Sequence, residues 1–119
     1  MTYPEAFSRL GFETGVIVFI KKDGSIRVML GTRNLRTVEL LYGFQGQKLG
    51  GHDNRCNINN GNIAVFDMVV GDARSFSINR LAHIEWLGVV SNREELDRAI
   101  EVYKRFKEDY SRALTLEDI

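Results

Sequence analysis

A pair of β-branched runs joined by Asp23-Gly24 constrains the fold of this chain more than any other feature. The runs are GVIVFIK (15–21) and IRVMLGT (26–32). Asp-Gly between such runs is the strongest short-range hairpin signal, because both residues tolerate positive φ. A two-residue turn predicts that Phe19 faces Val28 across the hairpin. In this register both faces are mainly apolar, so we expect another part of the chain, or a partner, to cover the second face.

A second hairpin is predicted from IAVFDMVV (63–70) and RSFSI (74–78). A three-residue loop, Gly71-Asp72-Ala73, places Phe66 and Phe76 on one face, whereas a two-residue loop would mix apolar and polar side chains on each face. The further elements expected from the local pattern are a fifth strand over Ala82 to Val90 and short helices over Tyr3 to Leu10 and Leu35 to Tyr42.

The last part of the chain predicts an amphipathic helix from about Arg93 to Ala113. The preceding Ser91-Asn92-Arg93-Glu94 has the pattern of a capping box, in which the serine hydroxyl accepts a backbone N–H and the glutamate reaches back. Apolar residues at three- and four-residue spacing form one stripe, which we expect to pack on the sheet: Leu96, Ala99, Ile100, Tyr103, Phe106, Tyr110 and Leu114. Pairs of opposite charge on the other faces support the helix: Glu94–Arg98, Glu101–Arg105 and Glu108–Arg112.

Length and composition favour a small intracellular domain. The 119 residues predict one domain, with a barrel core over 15–90 and a C-terminal helix over 91–114. The single cysteine, Cys56, excludes an internal disulfide framework and is typical of a reducing compartment, so we expect a cytoplasmic protein. No apolar run approaches the roughly 18 residues of a membrane helix, and the N-terminus lacks the pattern of a signal peptide, so no membrane partner is expected.

The formal net charge of zero is unevenly spread along the chain. From Gly15 to Arg80 there are nine basic and five acidic residues, an excess of four positive charges, balanced by acidic residues at both ends. This local excess fits an anionic partner, although it is weaker than that of a dedicated DNA-binding domain.

The sequence carries no recognisable catalytic or metal-binding pattern. His52 and Cys56 lie four residues apart, but no CxxC or second histidine accompanies them. Ser75 and Ser77 have no neighbouring base in the sequence. The glycines of 43–51 resemble a phosphate-binding loop only superficially, since Lys-Ser/Thr does not follow them. We therefore expect no enzymatic activity, no metal, no cofactor and no small-molecule substrate.

The candidate binding residues are cations beside the strands and side chains of the segment from Gly43 to Asn62. The planar fork of arginine suits phosphate and carboxylate groups. For any single arginine, solvation or pairing with a nearby aspartate is the better explanation, whereas for the cluster the two interpretations are about equal. The glycine- and asparagine-rich segment is costly to order, so we predict that it is mobile in the free protein and orders against a partner; the alternative is a tolerated insertion. The full set is Lys21, Lys22, Arg27, Arg33, Arg36, Phe44, Lys48, His52, Arg55, Arg74 and Arg80.

The run Val18 to Met29 with Thr32, Val65-Phe66-Asp67, Arg74-Ser75-Phe76 and Arg80-Leu81 resembles the small phage-encoded Sm-like/SH3-like barrels related to WYL domains. The resemblance covers about Gly15 to Trp86. It implies a mainly β fold with α: a five-stranded SH3-like antiparallel barrel, here flanked by a short N-terminal and a long C-terminal helix. WYL-type barrels bind nucleic acids or nucleotides through basic residues, a role that Arg74 and Arg80 would inherit.

Two functions follow from this resemblance. Within the phage-encoded sets the arrangement also resembles that of T-even-phage proteins that bind host RNA polymerase, which implies a non-enzymatic phage regulatory protein acting on the host transcription machinery. The sequence has no helix-turn-helix pattern, so we do not expect a self-sufficient promoter-binding regulator. The alternative is a single-stranded nucleic-acid-binding module that combines the arginines with Tyr42 or Phe44 for base stacking, against which the zero net charge argues.

Overall fold

The described part of the chain folds into an open five-stranded antiparallel sheet with three α-helices around it, as seen in a computed structural model. The structure describes residues 1–43, 49 and 56–117, with side chains up to residue 111. The elements are α1 (Tyr3–Leu10), β1 (Gly15–Ile20), β2 (Ile26–Thr32), α2 (Leu35–Tyr42), β3 (Asn62–Asp67), β4 (Asp72–Ser77), a 3₁₀ turn (Ile78–Arg80), β5 (Leu81–Trp86) and α3 (Arg93–Glu117).

The strand order is β4-β3-β2-β1-β5, so β4 and β5 form the two edges of the described sheet. The barrel expected from the sequence is therefore open between these two strands, which the 3₁₀ turn connects. Strand β2 joins the two hairpins, since it pairs with β1 over its length and with β3 through Gly31 and Thr32. Position 31 requires glycine, because a Cβ there would lie 2.9 Å from Val65 Cγ2.

The predicted Asp-Gly hairpin is confirmed, but its register differs by one residue from the prediction. Phe19 pairs with Arg27 rather than Val28. The reason is a three-residue loop over 22–24, in which Gly24 adopts φ +87°. A left-handed glycine after a type I turn closes three-residue hairpin loops. The shift moves Arg27 onto the face that carries Phe19.

The second predicted hairpin also forms, with a different loop. Strands β3 and β4 end at Asp67 and begin at Asp72, which leaves a four-residue loop. Asp67 ends β3 because its Oδ1 accepts the N–H groups of Val69 (3.0 Å) and Val70 (3.1 Å). The register predicted from a three-residue loop was therefore wrong, and Phe66 and Phe76 contribute to different cores.

The first core confirms that the chain itself covers the second face of the hairpin. Val16 and Leu30 on the sheet pack with Leu96 and Ala99 of α3, and all four are buried. Full burial of one such leucine contributes about 2 kcal/mol to stability. The apolar stripe of the helix therefore packs on its own domain, as predicted.

The second core lies on the other face of the sheet. Ile17 and Met29 pack there with Phe76, and α1 closes it with Ala6 and Leu10. The predicted span of α1 is confirmed. The two faces of the hairpin are thus covered by helices from opposite ends of the chain.

The N-cap of α3 lies one residue later than predicted. Asn92, not Ser91, is the cap: its Oδ1 accepts the Glu95 N–H at 2.9 Å, and its Nδ2 donates to Glu95 Oε1 at 2.9 Å. The predicted pair of Glu94 with Arg98 is present at 3.2 Å. The helix extends to Glu117, beyond the predicted end.

The end of β5 and the long segment before β3 differ from the predictions made from the sequence. Strand β5 ends at Trp86 rather than at residue 90. Leu49 is buried in the first core, and Asn57 forms an isolated bridge with Asn62. Mobility was predicted for Gly43 to Asn62, and residues 44–48 and 50–55 of this segment lie outside the described residues. Within the described ranges no helix has the length and apolarity to cross a membrane.

Candidate anion-binding groove

Two cavities adjoin between the β1–β2 hairpin and strand β4. Their volumes are about 490 and 320 Å³, and Phe19, Arg27 and Ser75 line both of them. Because they share these walls, we treat them as one groove. Volumes of this size lie within the range of roughly 300–1,000 Å³ that ligand sites occupy.

The groove gathers cations from four separate parts of the sequence. Among the described residues, Asp23 is the only acidic residue that lines the groove. The groove is therefore locally positive although the whole chain is formally neutral. Its cationic lining residues, all among the sequence candidates, are Lys21, Lys22, Arg27, Arg74 and Arg80.

The hairpin turn fixes one end of the groove. The N–H of Lys21 donates to the Ser25 carbonyl at 2.8 Å, and Arg80 Nη1 donates to the Lys21 carbonyl at 3.1 Å. Asp23 accepts from Ser25 Oγ at 2.6 Å and from the Ser25 N–H at 2.9 Å. The hydroxyl hydrogen bond, followed by the backbone one, holds the pKa of the Asp23 carboxyl below its usual value. The charged carboxylate of Asp23 is therefore hydrogen-bonded to Ser25.

Arg27 occupies the centre of the groove. It lies opposite Phe19 in the β1–β2 ladder, and its side chain is half-buried. Among the described residues it has no ion-pair partner within 4.0 Å. A half-buried guanidinium without a carboxylate partner is available to an external anion.

Arg74 supplies the second guanidinium of the groove. Its Nε lies 3.7 Å from Oδ2 of Asp67, whose side chain is 5% exposed, whereas that of Arg74 is 40% exposed. The Nε atom is buried and has no hydrogen-bond acceptor in the described part of the chain. A buried donor left unsatisfied costs about 1–3 kcal/mol. Because this atom is buried, an anion in the groove would contact the exposed part of the Arg74 side chain instead.

Two phenylalanines that the sequence did not single out as site residues form the apolar side of the groove. The rings of Phe19 and Phe76 have centroids 6.0 Å apart, and both side chains are buried. They therefore support the groove and do not offer a free ring face for stacking. The available signals were the two-residue spacing of Arg74 and Phe76 on β4 and the pairing of Phe19 with Arg27 across the hairpin, which depends on the correct register.

The structure does not bring the other two described arginines of the candidate set into the groove. Arg33 lies over the Phe7 ring at 4.4 Å, and its Nη1 donates to the Ala64 carbonyl and to Cys56 Sγ. These contacts connect α1, β2 and β3, so its guanidinium serves the fold. Arg36 is exposed on α2. The remaining candidates, which lie outside the described residues, are Phe44, Lys48, His52 and Arg55.

Tyr42, predicted as a possible stacking residue, is used internally. Its ring lies 4.8 Å from that of Phe66, and its hydroxyl donates to the Met68 carbonyl. Burial raises the pKa of the Tyr42 hydroxyl. Base stacking on this ring would require the first core to open.

The hydroxyls in the groove are not paired with a base in the described structure. Ser77 Oγ accepts the Asn79 N–H at 3.3 Å. His83 lies on β5, where Nε2 contacts Glu85 Oε2 at 3.1 Å and the ring stacks on Phe106 at 5.8 Å. Within the described ranges no three His, Cys, Asp or Glu side chains are grouped to hold a metal ion.

Comparison with protein families places the chain beside a known family model. The model of the family WYL_2, described as an Sm-like SH3 beta-barrel fold, matches residues 9–82, which is more than half of the chain. The matched range begins in α1, ends in β5 and includes all five cations of the groove. Comparison with curated proteins and with solved structures gives no match.

Proposed function

Since the chain belongs to the WYL_2 family of Sm-like SH3 beta-barrel folds, we propose that it is a non-enzymatic module that binds single-stranded nucleic acid in its basic groove. The observation that carries the proposal is the convergence of five cationic side chains on one groove. A positively charged groove that follows the phosphate backbone is the common feature of proteins that bind single strands.

The chemistry of the two central arginines favours phosphate as the anion. Arg27 has no ion-pair partner in the described structure, whereas Arg74 lies 3.7 Å from Asp67 and keeps 40% of its side chain exposed. Phosphate oxygens accept the charge-assisted hydrogen bonds that guanidinium groups make best. Lys21 and Lys22 at the hairpin turn add exposed positive charge to the same groove. The flexible backbone of a single strand needs such charge along its length.

Binding to a labelled single-stranded oligonucleotide at low salt tests this function. Arg27→Gln should weaken binding by about tenfold or more, since a hydrogen bond to a charged group contributes about 1.5–3 kcal/mol. Arg36→Gln is the matched control, because this arginine is exposed on α2, outside the groove. Absence of binding at low salt, or an equal loss in both variants, would count against the proposal.

Docking on the host transcription machinery is the second candidate. The formal net charge of zero favours it, because a neutral chain gains little from long-range attraction to nucleic acid. Under this second proposal the protein is a phage regulator, and its groove binds an acidic surface of host RNA polymerase. Recovery of a polymerase subunit from host lysate by the wild-type protein, and its loss with Arg27→Gln, would favour this candidate if oligonucleotides do not bind.

A further inference from the structure

A third cavity lies against helix α3 and shares one lining residue, Arg27, with the groove. Its volume is about 320 Å³. The walls come from the β3–β4 loop and from the second half of α3. The wall residues that matter here are Val69, Val70, Tyr103, Lys107 and Tyr110.

The aromatic wall of this cavity differs from the buried rings of the basic groove. Tyr110 is half-buried and belongs to neither core. Its ring stacks with that of Phe106 (centroids 6.5 Å apart, 16° between planes), which in turn stacks on His83. Tyr110 therefore ends a row of nearly parallel rings at the edge of the cavity. Lys107 Nζ lies 5.8 Å from the centroid of the Tyr103 ring.

The chemistry of the remaining walls suits a planar, uncharged group. Val69 and Val70, on the facing loop, are 45% and 52% exposed although apolar. Asp67 also lines the cavity and offsets part of the positive charge of Arg27 and Lys107. A nucleobase has the ring faces that tyrosine and apolar side chains bind, and its phosphate would remain beside Arg27.

We propose that this cavity is a base-stacking subsite, in which Tyr110 stacks on a base of the strand whose phosphates occupy the basic groove. The inference rests on the proposed function and adds a second contact to it. The subsite depends on α3, which lies outside the range matched by the family. A base-stacking role explains why the exposed Val69 and Val70 and the half-buried Tyr110 line the same cavity as Arg27.

The test compares an oligothymidylate of about 12 nucleotides, within the site sizes usual for such grooves, with an abasic oligomer of the same length. Tyr110→Ala should weaken binding of the oligothymidylate by about fivefold or more and leave binding of the abasic oligomer unchanged. Tyr110→Phe, which keeps the ring, should retain wild-type affinity. Phe12→Ala is the control for loss of an exposed aromatic side chain outside the groove, since Phe12 is 69% exposed.

The outcomes separate the subsite from the groove. Equal affinity of the wild-type protein for both oligomers, or an unchanged affinity of Tyr110→Ala for oligothymidylate, overturns the subsite and leaves the groove intact. An equal loss for both oligomers shows that Tyr110 acts through the fold, which also overturns the subsite. If neither oligomer binds at low salt, the proposed function fails, and the subsite fails with it.

Discussion

Raising the salt concentration should release a single strand from the groove by an amount that its cations determine. Each phosphate neutralised by a lysine or arginine contributes about −0.7 to the slope of log affinity against log salt for single strands. Five cations line the groove, so five simultaneous contacts give a slope of about −3.5. Between 50 and 200 mM salt, affinity should then fall by about 100-fold.

Contacts that the arginines already make within the protein set the smallest magnitude that this slope can have. Arg74 lies 3.7 Å from a buried aspartate, and Arg80 already donates to the Lys21 carbonyl. If these two arginines do not release counterions, three contacts remain, with a slope of about −2.1 and a loss of about 20-fold over the same salt range. The structure therefore predicts a slope of about −2 to −3.5.

Arg27→Gln separates the groove from general electrostatic attraction. Fluorescence anisotropy of a labelled oligothymidylate, titrated at several salt concentrations, gives the slope for each variant. Arg27→Gln should reduce its magnitude by about 0.7, whereas Arg36→Gln should leave it unchanged. A slope near zero, or the same slope for wild type and Arg27→Gln, would show that these phosphates are not bound where we place them.

Two further predictions concern the fold that holds the groove. Gly31→Ala should lower the free energy of unfolding by about 1–3 kcal/mol, because the new methyl meets Val65 side-chain atoms at 2.9 and 3.1 Å. In urea denaturation Gly31→Ala/Val65→Ala should cost less than the sum of the single changes, and simple additivity would contradict the contact. Tyr42→Phe should cost about 1 kcal/mol at neutral pH through loss of its hydrogen bond. Because burial raises the pKa of this tyrosine above its ordinary 10.0, stability should fall as pH rises from about 10 through the folded-state pKa, and Tyr42→Phe should show a smaller fall.

Register explains why the groove could be predicted only in part. The sequence contains all five cations of the groove, and they are recognisable as arginines and lysines beside apolar runs. The predicted two-residue turn placed Arg27 on the face opposite Phe19, and only the three-residue loop puts them together. A one-residue change in a turn reverses every side chain of the strand that follows. The same argument applies to Arg74, whose face depends on where Asp67 ends β3.

Local pattern by itself determined the existence of both hairpins, the three helices and the apolar stripe that packs on the sheet. These depend on period, turn residues and capping residues, which are properties of neighbouring positions. Tertiary structure alone decided that Arg33 connects α1 to β3 while Arg27 and Arg74 converge on one groove. It also placed Tyr110 beside that groove. Such contacts join residues far apart in sequence, and their geometry follows from strand register and helix packing, which no local pattern encodes.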